Sequence, residues 1–164
     1  MSIERPSLSK SKQAFKQVYD DIGKTVSAVG TYIGGKVDYN INNLTPAQGQ
    51  FQNACAIRMS YVLNKTGIKI PHKQGKTVSG GKGHWYLYKV KDLITYLKEI
   101  FGEPDQVIHM PSLGKVAAYK GIIVFEVDGW DDATGHATIW DGVGCSDKCY
   151  FTQSKKAYIW TLKN

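Results

Sequence analysis

Two segments carry residue types that can do chemistry together. In Gln50-Phe51-Gln52-Asn53-Ala54-Cys55-Ala56-Ile57-Arg58-Met59-Ser60, a cysteine stands at the front of a helix. In Gly135-His136-Ala137-Thr138-Ile139-Trp140-Asp141-Gly142, a histidine opens a β-like run. The free N–H groups and dipole of a helix N-terminus stabilise a thiolate. A thiolate is the nucleophile of cysteine-dependent hydrolases, and an imidazolium beside it completes the ion pair. The pattern points to acyl transfer from an amide, with Cys55 as nucleophile and His136 as base.

Such a pair needs a third group to hold the imidazole in one tautomer. Asp141-Gly142 is a two-residue hairpin signal. A turn there sets His136 opposite Asp147 on one sheet face, so Asp147 is the expected orienter. Asp141 is the runner-up, with Asp131 and Asp132 behind it. An oxyanion also needs donors. The Cys55 backbone N–H is one, and a side-chain amide of Gln50, Gln52 or Asn53 is a second, the three being equivalent at this level. Trp85 and Trp130 sit beside flexible loops and are candidates to line a substrate groove, with core packing the equal alternative.

Each of these residues has a plainer reading. A lone cysteine on the inner face of a helix is more often a small core residue, and a lone histidine is usually structural. His84, in Gly83-His84-Trp85-Tyr86, is a rival base, whereas His72 and His109 read as surface residues. Cys145 and Cys149 are four apart, a spacing that suits a disulfide-closed loop if the chain turns. Half of a zinc site is the alternative, but no second Cys/His pair at ligand spacing accompanies it, so no metal is expected. Cys55 is then the free thiol.

The elements that must position these groups follow from the apolar spacing. Ser9 to Ile22 reads as an amphipathic helix capped by Ser9 or Ser11 and ended by Gly23. Val26 to Asn43, rich in Gly and Asn, reads as irregular, with an extended piece over 36–39. Asn53 is the expected N-cap of the cysteine helix, whose Cys55, Met59 and Val62 share one face and which stops near Asn64 to Gly67. Gly67 to Gly83 reads as a loop. Val90 to Phe101 is a second helix, ended by Gly102 and Pro104. Strands are expected at 107–110, 121–127, 136–140, 148–152 and 157–162. Helices first and an antiparallel sheet after them define an α+β domain over residues 1–164.

The chain has 164 residues, enough to bury a core without metal or disulfide support. Its formal net charge of +7 favours anionic partners. The basic residues are scattered, however, so a solvated cationic surface explains them better than a nucleic-acid stripe. No apolar run approaches the ~20 residues of a membrane span. Met1 to Lys16 lacks the apolar core of a signal peptide. A disulfide belongs to an oxidising compartment, so a chain with a disulfide and no export signal reads as made in one cell and used outside it.

Taken together, the Cys55 helix start, the His136 strand and the Cys145–Cys149 loop resemble the type VI secretion amidase effectors of family 4 over nearly the whole chain. That resemblance implies a papain-type, NlpC/P60-like fold. It implies cleavage of the peptidoglycan stem peptide between D-glutamate and meso-diaminopimelate by a Cys55-His136-Asp147 triad. It implies no cofactor, an immunity protein as inhibitor, the secretion apparatus as carrier, and action in the target-cell periplasm, with neither nucleic acid nor membrane insertion involved. Two other classes compete. One is a cysteine-dependent protease or deamidase toxin acting on protein; the other is a basic nucleic-acid-binding module.

Overall fold

A computed structural model describes residues 3–51, 53–127 and 135–164. The N-terminal part is helical. α1 (Leu8–Val18) is capped by Ser7, whose side chain accepts from the Lys10 N–H. The expected Ser9 and Ser11 caps lie two and four positions too late. A short 3₁₀ turn at Asp20–Ile22 follows, and Gly23 ends it in the left-handed region.

The stretch expected to be irregular is instead two helices, α2 (Val26–Ile33) and α3 (Gly35–Asn43). Thr25 caps α2 through the Ala28 N–H. Gly34 and Gly35, both at positive φ, make the joint. Gly35 has φ +60°, and a Cβ there would sit 2.4 Å from the Gly80 carbonyl carbon. Val29, Ile33, Val37 and Ile41 are spaced by four and form one buried cluster with Ala54, Ile57 and Tyr86. Burial of that face holds two helices whose Gly and Asn content alone disfavours them.

α4 (Cys55–Lys65) is central, and nine of its eleven residues are buried. α5 (Val90–Phe101) spans the expected residues and ends at Gly102. The segment between them holds a small hairpin of β1 (Thr77–Ser79), which lies inside the expected 67–83 loop, and β2 (Trp85–Leu87), which follows it. α6 (Leu113–Val116) is one turn.

The main sheet is antiparallel, in the order β3 (Gln106–His109), β6 (Lys156–Thr161), β4 (Gly121–Glu126), β5 (Gly135–Trp140). Four of the five expected strands are present. Residues 148–152 are not a strand, because Cys145 and Cys149 close a tight loop there. Alternation along the strands divides two cores. Ile122, Val124, Ala137, Ile139 and Trp160 pack beneath α1, α4 and α5. Ile123, Phe125, Trp140, Ala157 and Ile159 face Val116, Tyr150 and Phe151. The fold is α+β, with α1, α4 and α5 on one side of an antiparallel sheet and the single turn of α6 on the other. No helix among the described residues is long and apolar enough to cross a membrane.

Candidate active site

The approach to Cys55 is tied down before the helix begins. Thr45 and Gln48 bond reciprocally around a Pro46–Gln48 3₁₀ turn, with Thr45 N–H donating to Gln48 Oε1 at 2.9 Å. Gln50 Nε2 donates to the Ile41 carbonyl at 2.6 Å, and Phe51 N–H donates to Asn40 Oδ1 at 2.8 Å. α3 therefore anchors the strap that delivers Cys55 to the start of α4. Ala54 is the N-cap and offers no side-chain bond. Asn53, the expected cap, instead accepts the Cys55 N–H on its Oδ1 at 2.9 Å. That N–H, expected as an oxyanion donor, is occupied in this state. The Asn53 amide nitrogen remains as a donor on the same side chain.

The Cys55 side chain is buried, and its Sγ lies 3.9 Å from the Gly135 carbonyl at the start of β5. Gly135 is needed there because a Cβ would meet the Phe125 oxygen at 1.8 Å. The next residue is His136, whose ring interacts with the Cys55 thiol. His136 Nε2 lies 2.8 Å from Asp147 Oδ2, and both side chains are almost fully buried, at 7% and 4% exposure. Among the described residues neither Nε2 nor Asp147 Oδ1 has an aligned hydrogen-bond partner, so the contact is an ion pair set off the N–H direction. With Nε2 turned to Asp147, Nδ1 is the nitrogen left for the thiol.

Burial lowers the His136 pKa, but the Asp147 carboxylate and the Cys55 side chain outweigh it and push the value up to about 9. The Tyr150 ring stands 4.6 Å from the imidazole and fixes its plane. Burial, then Asp147, raises the Tyr150 pKa.

The structure brings Cys55, His136 and Asp147 together by a route different from the expected hairpin. Asp141 and Gly142 do turn, but the register pairs Trp140 with Cys145, two residues out from the predicted alignment. Asp147 reaches His136 because the Cys145–Cys149 disulfide, with Cα atoms 5.5 Å apart, folds it back. The disulfide also removes the zinc alternative for that cysteine pair. Asp141 is elsewhere. Its Oδ1 accepts from the Val143 and Gly144 N–H groups, and its Oδ2 pairs with Lys12 at 2.8 Å. Lys12 and those N–H groups hold its pKa down to about 2.

Gln52, Trp130, Asp131 and Asp132 lie outside the described residues. Trp85 does not line the cavity beside Cys55; its ring packs on His72 at 4.4 Å and against the helical core. His84 lines a separate groove with Tyr61, Lys65 and Lys69, away from the thiol.

Three features escaped the sequence reading. One is a cavity of about 230 Å³ beside Cys55, walled by Phe51 and Tyr88, whose rings stack at 4.8 Å. Another is Lys89 on its rim. The third is Arg58, buried one turn below Cys55 and stacked on Tyr19 at 4.8 Å. Burial lowers the Arg58 pKa, against the opposing pull of Asp147. Its place at three residues past the cysteine was the available signal.

Comparison with known proteins gives a consistent result. A family model described as type VI secretion system (T6SS), amidase effector protein 4, matches residues 51–160. The crystal structure of the type VI effector Tae4 from Enterobacter cloacae is 40% identical, with a TM-score of 0.86, covering 99% of this chain and 100% of that one. The Tae4–Tai4 effector–immunity complex from Salmonella Typhimurium is also 40% identical, with a TM-score of 0.84, covering 97% and 99%. The corresponding Tae4–Tai4 complex from Enterobacter cloacae has a TM-score of 0.86 at 40% identity, covering 98% and 100%. No curated protein sequence matches.

Proposed function

The chain belongs to the type VI secretion amidase effector family 4, and on that premise we propose that it hydrolyses the peptidoglycan stem peptide between D-glutamate and meso-diaminopimelate through Cys55, His136 and Asp147. The observation that carries the reading is the buried His136–Asp147 ion pair set against a thiol at the N-terminus of α4.

The steps follow from that arrangement. His136 takes the thiol proton, and the helix end and imidazolium stabilise the thiolate. Sulfur attacks the γ-carbonyl of D-glutamate, and the carbonyl electron pair moves to oxygen. We assign the Asn53 amide nitrogen as the donor to that oxyanion, joined by the Cys55 N–H once Asn53 Oδ1 releases it. As the tetrahedral intermediate collapses, the C–N bond breaks and imidazolium gives its proton to the diaminopimelate amine. His136 then deprotonates water, which attacks the thioester and frees the D-glutamyl carboxylate and the thiol. Asp147 keeps one tautomer and stabilises the imidazolium throughout.

By the same reading the protein is carried into a target cell, acts in its periplasm, and is neutralised by an immunity protein, as the Tae4–Tai4 complexes of its relatives are named. The test is mass spectrometry of purified peptidoglycan digested with wild-type protein. New amino termini on diaminopimelate support the reading; an unchanged muropeptide profile overturns it.

A further inference from the structure

The cavity beside Cys55 has a specific chemical character. Its walls are the stacked Phe51 and Tyr88 rings, with Val90 adding apolar surface. Among the described lining residues Lys89 is the one charged side chain, and none is a carboxylate. Among the described residues Lys89 has no ion-pair partner; its ammonium lies 5.9 Å from the Tyr88 ring centroid. Elsewhere the exposed Lys12 and Lys16 and the half-buried Lys73 and Lys156 each meet a carboxylate. A cation without a partner, on the rim of a partly apolar cavity that also holds the nucleophile, is placed to meet a charge on the substrate.

We propose that Lys89 is a specificity-determining residue that binds a free carboxylate flanking the scissile bond, while the Phe51–Tyr88 wall packs the adjoining aliphatic chain. The proposal rests on the stem-peptide reading above. The scissile bond has free carboxylates on both sides: the α-carboxylate of D-glutamate, which the γ-linkage leaves free, and the side-chain carboxylate of diaminopimelate. A lysine ammonium recognises either as a point charge. An amidated carboxyl in the same position loses the ion pair and presents a competing donor to Lys89.

The experiment compares wild-type, Lys89→Met and Lys89→Arg on three synthetic stem tetrapeptides. One carries both free acids, one has the D-glutamate α-carboxyl amidated, and one has the diaminopimelate side-chain carboxyl amidated. Lys89 is exposed, and circular dichroism and thermal melting check that each variant is folded. Lys89→Met is expected to raise KM about tenfold on the all-acid peptide, with kcat within about twofold, and Lys89→Arg to restore most of the loss. On the peptide whose amidation removes the partner carboxylate, wild type and Lys89→Met converge, and that peptide identifies which carboxylate it is. An equal KM penalty on all three peptides, or none on the all-acid peptide, overturns the proposal. Failure of wild type to cleave any stem peptide overturns instead the reading on which it rests.

Discussion

Asp147 couples geometry to pH. Its carboxylate, 2.8 Å from His136 Nε2, helps raise the histidine pKa to about 9 despite burial. The thiolate–imidazolium pair is therefore expected to persist to alkaline pH, and kcat/KM should fall as pH rises through about 9. Asp147→Asn removes the charge, so the alkaline limb should move to lower pH and kcat should drop about 100-fold or more. A pH–rate profile of both proteins checks this; an unmoved limb in Asp147→Asn contradicts it. Cys55→Ala should abolish hydrolysis while shifting Tm by only a few degrees, since one buried sulfur atom is removed from a site that alanine fits. His136→Ala should be as damaging, and the double variant little worse than either, because the two act as one unit. Kinetics on peptidoglycan with melting curves for all three tests the ranking.

At the scale of elements, the disulfide loop does what the expected hairpin was assigned to do. Cys145→Ser/Cys149→Ser should cost at most about 2 kcal/mol of stability, because so short a loop restricts the unfolded chain little. Its kcat should fall about tenfold or more as Asp147 loses its tether, a split that denaturant titration and kinetics read separately. Asp141→Asn should leave kcat near wild type, since an amide oxygen still accepts from the Val143 and Gly144 N–H groups. Gly135→Ala should lower both stability and activity, because its methyl collides with the Phe125 carbonyl next to His136. Elements with strong periodicity were legible, α5 to the residue and α4 nearly so. α2 and α3 were not, because their Gly and Asn residues oppose helix locally and only tertiary burial of Val29, Ile33, Val37 and Ile41 overrides that. Asp147 was legible as a partner of His136, but through a register two residues off. A five-residue disulfide loop bends the chain in a way that strand alternation cannot express. The Phe51–Tyr88 wall was invisible because it joins residues from either side of α4.

Over the whole molecule, the pKa shifts of His136 beside Asp147 and of Asp141 beside Lys12 act on stability at opposite ends of the pH scale. His136, raised from 6.5 to about 9, contributes stability in full below pH 6.5 and loses it as pH rises through about 9. Asp141, lowered from 3.8 to about 2, contributes above pH 3.8 and loses it as pH falls through about 2. Thermal melts should therefore show a plateau between roughly pH 4 and 6.5 with Tm declining on either side. Replacing Asp147 by Asn should flatten the alkaline decline.

The proposed nucleophile, Cys55, and the Gly135 carbonyl that it faces are 80 residues apart in the chain. The thiol comes from the helical half, the imidazole and its carboxylate from the sheet half. Closing so long a loop is a late and slow event in folding. A partly folded chain that has completed α4 but not docked β5 holds the thiol without His136, so activity is expected only after that docking. In refolding from denaturant, helical circular dichroism should recover ahead of amidase activity, and activity should return with the slowest phase. The separation of the proposed catalytic groups along the polypeptide would then make topology itself the timer of activity.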